Sequence, residues 1–256
     1  LFFKCENFQR IGAFKTRGAH NAVFSLTQRE AARGVVTHSS GNHAAALALA
    51  ARNRGITAQI VMPANASKVK IATVERLGGQ IVFCKPTLAA RETLAAALTE
   101  RTGATLIHPY DDGRIILGQA TATVELLEAV PDLDAVVAPV GGGGLLSGTA
   151  LAARLLRKTC RVYGAEPATA DDAHRSLKAG KIIPVENPQT IADGLRTSLG
   201  EIPFSIISTH VDDIATVGEQ NIIHAMRLVW SVMKIVIEPS AAVAVAALLE
   251  GKVPAR

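Results

Sequence analysis

Cysteine, aromatic residues and long apolar runs are all scarce in this sequence, and each scarcity removes a class of protein. The three cysteines, Cys5, Cys84 and Cys160, lie far apart with no Cys-x-x-Cys pair, so they form neither a disulfide framework nor a zinc-ligand set. Reduced thiols of this kind suit a cytoplasmic protein. Aromatics are only 4% of the chain, and the 27 basic residues behind the net charge of +5 are scattered without interleaved rings. A solvated basic surface is therefore expected, not a nucleic-acid interface. No apolar run approaches the ~20 residues that a membrane span needs, and no signal peptide is visible. Fixed-period repeats and low-complexity linkers are also missing. The chain starts at Leu1, without Met and inside what reads as a strand, Leu1 to Cys5; both ends are expected to be trimmed.

What remains is a chain of 256 residues, 48% hydrophobic and rich in alanine, which suits one large or two medium domains with a substantial core. Strand, turn and helix recur. The strand Gly34 to Ser39 precedes the helix Ala44 to Arg54, followed by Ala58 to Met62 and Ser67 to Leu77, Gln80 to Cys84 and Leu88 to Arg101, and a closing strand Ala104 to His108. Short connections between alternating elements predict parallel strands covered by helices on both faces. Beyond them come a helix over Ile115 to Val130, a strand over Ala135 to Val140, a helix over Leu145 to Lys158 and a strand over Arg161 to Ala165. Residues 171–201 read mostly as loops and short helices. A strand at Ile214 to Val217, a helix from Glu219 to Met233, a short strand Ile235 to Ile237 and a helix Ala241 to Glu250 complete the chain. We expect a small domain over 34–111, inserted in a large one made of 1–33 and 112–256.

Two turns are prepared for anions. Gly141-Gly142-Gly143-Gly144 lies between a buried strand and a helix, leaving backbone N–H groups unobstructed where the helix dipole favours negative charge. A phosphate fits there. A simple turn would need only one or two glycines, because each costs conformational entropy on folding. Ser39-Ser40-Gly41-Asn42-His43 offers two hydroxyls, an amide and N–H groups at a helix start, which suit a carboxylate, with Asn42 able to donate to a phenolic oxygen. An ordinary helix cap would need one such residue. A dinucleotide site is the rival reading, since Glu166 follows Gly144 by 22 residues (166 − 144) at a strand end. Its G-x-G-x-x-G fingerprint fails, because Leu146 and Ser147 occupy the positions where glycine is required.

Lys15 lies in Asn7-Phe8-Gln9-Arg10-Ile11-Gly12-Ala13-Phe14-Lys15-Thr16-Arg17-Gly18-Ala19. A lysine on a helix is ordinarily exposed. In apolar surroundings its ammonium form is disfavoured and the amine becomes available for a Schiff base, which makes Lys15 a candidate carrier of pyridoxal phosphate. Glu166-Pro167-Ala168-Thr169-Ala170-Asp171-Asp172 reads equally as an acidic helix N-terminus or as oxygen ligands for a hard cation. Ala192-Asp193-Gly194 and Glu238-Pro239-Ser240 read alone as turn and helix-cap chemistry.

In this order and over nearly the whole chain, these motifs resemble the fold type II pyridoxal-phosphate enzymes, in the branch holding serine racemase, threonine/serine dehydratases and 3-hydroxyaspartate dehydratase. The resemblance implies two doubly wound α/β domains like tryptophan synthase β, with the cofactor in the cleft. It implies Lys15 as cofactor carrier and base, with Phe14, Asn42, Gly141 to Gly144, Leu145, Gly194 and Glu238 at the cofactor. Ser39, Ser40, Gly41 and His43 would take the substrate carboxylate, and Ser40 would act as a second acid/base on the face opposite Lys15. Arg91 matches a position able to face a distal carboxylate. Glu166, the Ala170 carbonyl and Asp172 would bind Mg²⁺ or Ca²⁺. A homodimer acting on a small amino acid follows from the same likeness. There are departures. Tyr110 stands where the racemases usually place an asparagine, and the family continues past the equivalent of Arg256 into a segment that meets the pyridine nitrogen.

The activity expected is dehydration of serine, threonine or 3-hydroxyaspartate to a 2-oxo acid and ammonia, with serine racemisation as a side reaction. The alternatives are serine racemisation as the main activity, and a non-catalytic sensor or remnant on the same fold.

Overall fold

The computed structural model describes residues 1–254, and the chain divides into two compact units, residues 8–118 in one and residues 1–7 with the chain from Gln119 onward in the other. The 8–118 unit contains α1 (Lys15–Phe24), α2 (Gln28–Ala31), β1 (Val35–His38), α3 (Asn42–Arg54), β2 (Ala58–Pro63), α4 (Lys68–Arg76), β3 (Gln80–Cys84), α5 (Leu88–Thr102) and β4 (Thr105–Leu106). Its strands are parallel in the order β3-β2-β1-β4. Strand order thus reverses between β1 and β4, the kind of switch point at which open α/β sheets bind ligands.

Both faces of this sheet are covered, as the two-residue period of a strand requires. Val35, Ile60 and Met62 pack with Ala44, Leu47 and Ala51 of α3 and with Ala19 and Val23 of α1. Val36 and Val61 point the other way, into Ala95 and Leu98 of α5. Alanine dominates α3, whose residues 43–51 are all buried, and small side chains let α1 lie close beside it. Thr27 caps α2 with a capping box, its hydroxyl accepting the Glu30 N–H while the Glu30 carboxylate accepts the Thr27 N–H.

Helix α6 (Gly113–Ala129) follows. Its Gly118 meets the backbone of α1: a Cβ there would lie 2.5 Å from the Gly18 Cα and 2.8 Å from the Arg17 carbonyl oxygen. This close approach fixes the helix that begins with Lys15. Asn21 reinforces it by donating from Nδ2 to the Arg114 carbonyl at 2.7 Å.

The second unit carries β5 (Ala135–Pro139), α7 (Gly144–Leu156), β6 (Arg161–Pro167), α8 (Asp172–Ala179), α9 (Glu201–His210), β7 (Asp213–Val217), α10 (Glu219–Met233) and α11 (Pro239–Leu249). Its three strands are parallel in the order β5-β6-β7. Tyr163, Ala165 and Val217 face Ile222 and Ala225 of α10 and Val243 and Ala246 of α11. Val162 and Ile214 face Leu146 and Ala150 of α7 and Ile207 of α9. The protein is thus an α/β structure of two parallel sheets, of the tryptophan synthase β-like kind.

Two local expectations change. Leu1 to Cys5 and Ile235 to Ile237, which read as strands, form none; strand propensity takes effect only where a neighbouring strand supplies the ladder, and neither segment joins a sheet among the described residues. The stretch 171–201, read as loops and short helices, contains the short helix α8, which begins at Asp172. Among the described residues no helix is long and apolar enough to cross a membrane.

Candidate active site

In the 8–118 unit the site is organised by one turn, residues 107–111, at the end of β4. Lys15, first residue of α1, is partly buried. Its Nζ donates to the Pro109 carbonyl at 2.7 Å and stands 5.2 Å from the centre of the Phe14 ring. Two residues earlier in the turn, the Ile107 carbonyl lies 3.3 Å from Nε2 of His43. A carbonyl only accepts, so Nε2 carries the proton. Between these two carbonyls sits His108, whose Nδ1 accepts the Asp111 N–H at 2.8 Å and the Tyr110 N–H at 3.4 Å. Its neutral ring must therefore carry the proton on Nε2.

Three imidazoles gather here, all held neutral. Burial is the main cause in each: it pushes His38 down to about 4, helped by His108 and Arg91. His43 is held well below its ordinary value by burial and then by the Lys15 charge. His108 is lowered by burial and by Lys15, against the opposing pull of Asp111 and Asp112. The His38 and His108 rings meet edge to face at 5.2 Å, and the Tyr110 ring meets His108 at 4.6 Å. Reading the sequence missed His38 and His108. The available signal was position, since His38 closes β1 and His108 lies two residues past β4, the strands flanking the switch point, where ligand-facing residues belong.

The Ser39–His43 turn leads from the end of β1 into α3. Ser39 donates its backbone N–H to the Val61 carbonyl at 3.1 Å and accepts the Gly41 N–H on its hydroxyl at 3.3 Å. Gly41 is the N-cap of α3 and supplies no side-chain cap. Nothing lies within 4 Å of where a Gly41 Cβ would project. This open space at a helix N-terminus suits a small anion. His43 can serve a carboxylate only through its backbone N–H, since its one ring donor is engaged with Ile107. Arg91, on α5, is half-buried and acts on both His38 and Cys84. It is therefore not simply a solvated helix-face arginine.

In the second unit the tetraglycine loop runs into α7. Gly143 adopts φ +90°, and a Cβ there would come within 2.7 Å of Pro203 and 2.8 Å of Leu199. Only glycine satisfies both constraints. Gly141 lies against Leu195 and the Gly194 carbonyl, while Gly194 donates its N–H to the Ser240 hydroxyl at 3.1 Å. Glu238 is the residue before α11. The fold thus gathers three motifs from distant parts of the chain: the loop that opens at Gly141 and passes Gly142 and Gly144 to Leu145, the Gly194 turn and the Glu238–Ser240 helix start. The α7 N-terminus likewise has no side-chain cap, and its glycines leave no side chain over it. An anionic phosphate matches that donor set.

Glu166, next to last in β6, is fully buried, its carboxylate accepting the His174 N–H at 2.7 Å and the Ala173 N–H at 3.2 Å. Asp172 is also buried and accepts the Leu199 N–H at 3.2 Å. Burial pushes Glu166 up to about 9 and Asp172 up to about 7. Among the described residues no three His, Cys, Asp or Glu side chains converge as a metal centre. The expected set has only two carboxylates, with the buried Ala170 contributing a carbonyl. Two buried carboxylates, with Asp172 adding to the burial that disfavours the charge of Glu166, match a cation's requirements.

The 8–118 unit thus offers a lysine amine held by a backbone carbonyl, and the second unit a glycine-opened helix N-terminus; these are the features that a lysine-bound phosphate ester needs. The whole chain, residues 1–256, matches the model of the pyridoxal-phosphate dependent enzyme family. It is 52% identical to a serine racemase of Arabidopsis thaliana over 97% of this chain and 75% of that protein. It is 51% identical to a beta-hydroxyaspartate dehydratase of Paracoccus denitrificans over 98% of this chain and 79% of that one. Maize serine racemase superposes with a TM-score of 0.94 at 46% identity, covering 96% of this chain and 74% of the other. The chain belongs to the fold type II pyridoxal-phosphate enzymes, in the group of serine racemases, threonine deaminases and β-hydroxyaspartate dehydratases.

Proposed function

We propose that this protein is a serine racemase that also dehydrates β-hydroxy amino acids, which gives racemisation more weight than the sequence alone suggested. The observation that carries the reading is the pairing, within one unit, of a Lys15 amine held at the Pro109 carbonyl with a Ser40 hydroxyl beside the open space at Gly41. Several serine racemases among the relatives, including one from Dictyostelium discoideum at 48% identity, support racemisation; the Paracoccus dehydratase supports the second activity.

Pyridoxal phosphate, when bound, would supply an electron sink for the pair left when a Cα–H bond breaks. Lys15 would carry it. Phe14 and Asn42 would border its ring, with Asn42 toward the phenolic oxygen, and the N–H groups of Gly141 to Leu145 would hold the phosphate, with Gly194 and Glu238 alongside. The N-terminus of α3, through Ser39, Gly41 and the His43 N–H, would bind the substrate carboxylate. Lys15 Nζ would take the α-proton, and the Ser40 hydroxyl would deliver one to the opposite face. A proton donor on each face is what inversion needs beyond elimination. Arg91 would face the second carboxylate of a substrate such as 3-hydroxyaspartate. Glu166, Ala170 and Asp172 would hold Mg²⁺ or Ca²⁺ in a bracing role, and the working form would be a homodimer.

Ser40→Ala tests the reading. Exchange between L- and D-serine should vanish while L-serine dehydration largely survives. Equal loss of both would show that Ser40 only positions the substrate, and Lys15→Ala with full turnover would end the proposal.

A further inference from the structure

His108 closes its own turn. Its Nδ1 accepts the main-chain N–H groups of Asp111 at 2.8 Å and Tyr110 at 3.4 Å, and its half-buried ring meets His38 at 5.2 Å and Tyr110 at 4.6 Å, edge to face in both cases. A turned-over ring would forfeit both hydrogen bonds, so the orientation is fixed and the one proton stays on Nε2. Burial and the Lys15 charge disfavour a second proton. Among the described residues no acceptor meets the Nε2–H. The turn alone does not need an imidazole. Asparagine or aspartate accepts main-chain N–H groups just ahead in the same manner, as the Asp112 carboxylate does for the Arg114 N–H at 2.9 Å. What histidine adds is an immobile, neutral donor on the far side of the ring.

That donor stands beside the reacting groups of its own unit. Pro109, the next residue, holds Lys15 Nζ with its carbonyl at 2.7 Å. His38, against the His108 ring, leads directly into the Ser39–His43 turn. With the substrate α-carboxylate at that turn and the α-carbon at Lys15, the acceptor left on the substrate is the oxygen carried by its β-carbon, one bond further on.

We propose that His108 is a specificity-determining residue: its Nε2–H donates to the β-oxygen of the substrate, so that the site selects amino acids oxygenated at the β-carbon. This rests on the roles given above to Lys15 and the Ser39–His43 turn. A neutral imidazole polarises an oxygen without surrendering its proton, so no bond to His108 forms or breaks. A site built to hydrogen-bond an oxygen rejects the analogue lacking it, because the donor is then left unmatched.

Two measurements on the full chain with cofactor bound decide it. α-Methylserine and α-aminoisobutyrate both lack the α-proton that Lys15 removes, and only the first has a β-oxygen. In histidine-¹⁵N spectra at saturating ligand, α-methylserine should shift the His108 Nε2–H resonance and α-aminoisobutyrate should leave it in place; the same response to both overturns the proposal. The second measurement compares L-serine with β-chloro-L-alanine, which yield the same 2-oxo acid by loss of hydroxide or of chloride. His108→Asn keeps an acceptor for the turn and loses the donor, so kcat/KM should fall about tenfold more for serine than for β-chloroalanine. His108→Gln, whose amide reaches the Nε2 position, should restore that ratio even where its unmatched turn lowers Tm. A parallel fall on both substrates, or a ratio no better in the Gln variant than in the Asn variant, refutes the role. Wild-type protein that turns over neither substrate defeats the functional reading alone, and the spectral comparison then decides His108.

Discussion

Gly143→Ala should be among the most damaging single-atom-group additions in the second unit. Two costs add at this position. An L-residue at φ +90° pays about 1–3 kcal/mol for its backbone conformation. The new Cβ would also press on Pro203 at 2.7 Å, Leu199 at 2.8 Å and Ile207 at 3.0 Å. Leu199 and Ile207 are buried core residues that cannot swing away, and overpacking of this kind costs about 1–3 kcal/mol. The sum, about 2–6 kcal/mol, corresponds to a fall in Tm of roughly 4–24 °C for a chain of this size. Gly180→Ala is the control: φ is +66° there and nothing lies within 4 Å of the added carbon, so only the backbone cost applies. Calorimetry of the two variants beside wild type separates the effects. If both lower Tm by the same amount, the packing half of the reasoning is wrong.

Arg91→Ala should lower the ratio of kcat/KM for 3-hydroxyaspartate over serine by roughly 10- to 100-fold, the worth of a charge-assisted hydrogen bond; an unchanged ratio would end the distal-carboxylate role. Chelation of divalent cations should lower both Tm and turnover, by about 2–3 kcal/mol of stability if the cation was present at a hundredfold excess over Kd, and indifference of both would remove the cation from Glu166, Ala170 and Asp172. Acid should destabilise the 8–118 unit through its buried imidazoles. His38 has a folded value of about 4, below its unfolded value of 6.5, so the unfolded chain binds more protons between those values and stability falls as pH drops through that window, by up to ~3 kcal/mol. The Tm of His38→Asn should accordingly fall less steeply than wild type between pH 6.5 and 4, and parallel curves would count against the assignment.

The parallel α/β architecture was legible because its cause is local: alternating apolar strands and alanine-rich helices with glycine at the joints. The same holds for Lys15, the Ser39–His43 turn and the tetraglycine loop, each a contiguous motif. What escaped depends on partners far along the chain. Ile235 to Ile237 has strand-forming side chains, yet no ladder reaches it. His38 and His108 belong to one cluster but stand 70 residues apart (108 − 38), joined only because β4 pairs with β1. The ring of His43 could be assigned to a carboxylate from sequence, since nothing local reveals that the Ile107 carbonyl already uses its donor.

Holding Lys15 and His43 by the carbonyls of Pro109 and Ile107 has an evolutionary corollary. Main-chain oxygens are not encoded by any particular codon, so side-chain drift in that turn leaves the grip intact. Alanine scanning across 107–111 would accordingly under-report the segment, with His108 the exception. Its importance would surface instead on inserting or deleting a residue, which moves both oxygens at once.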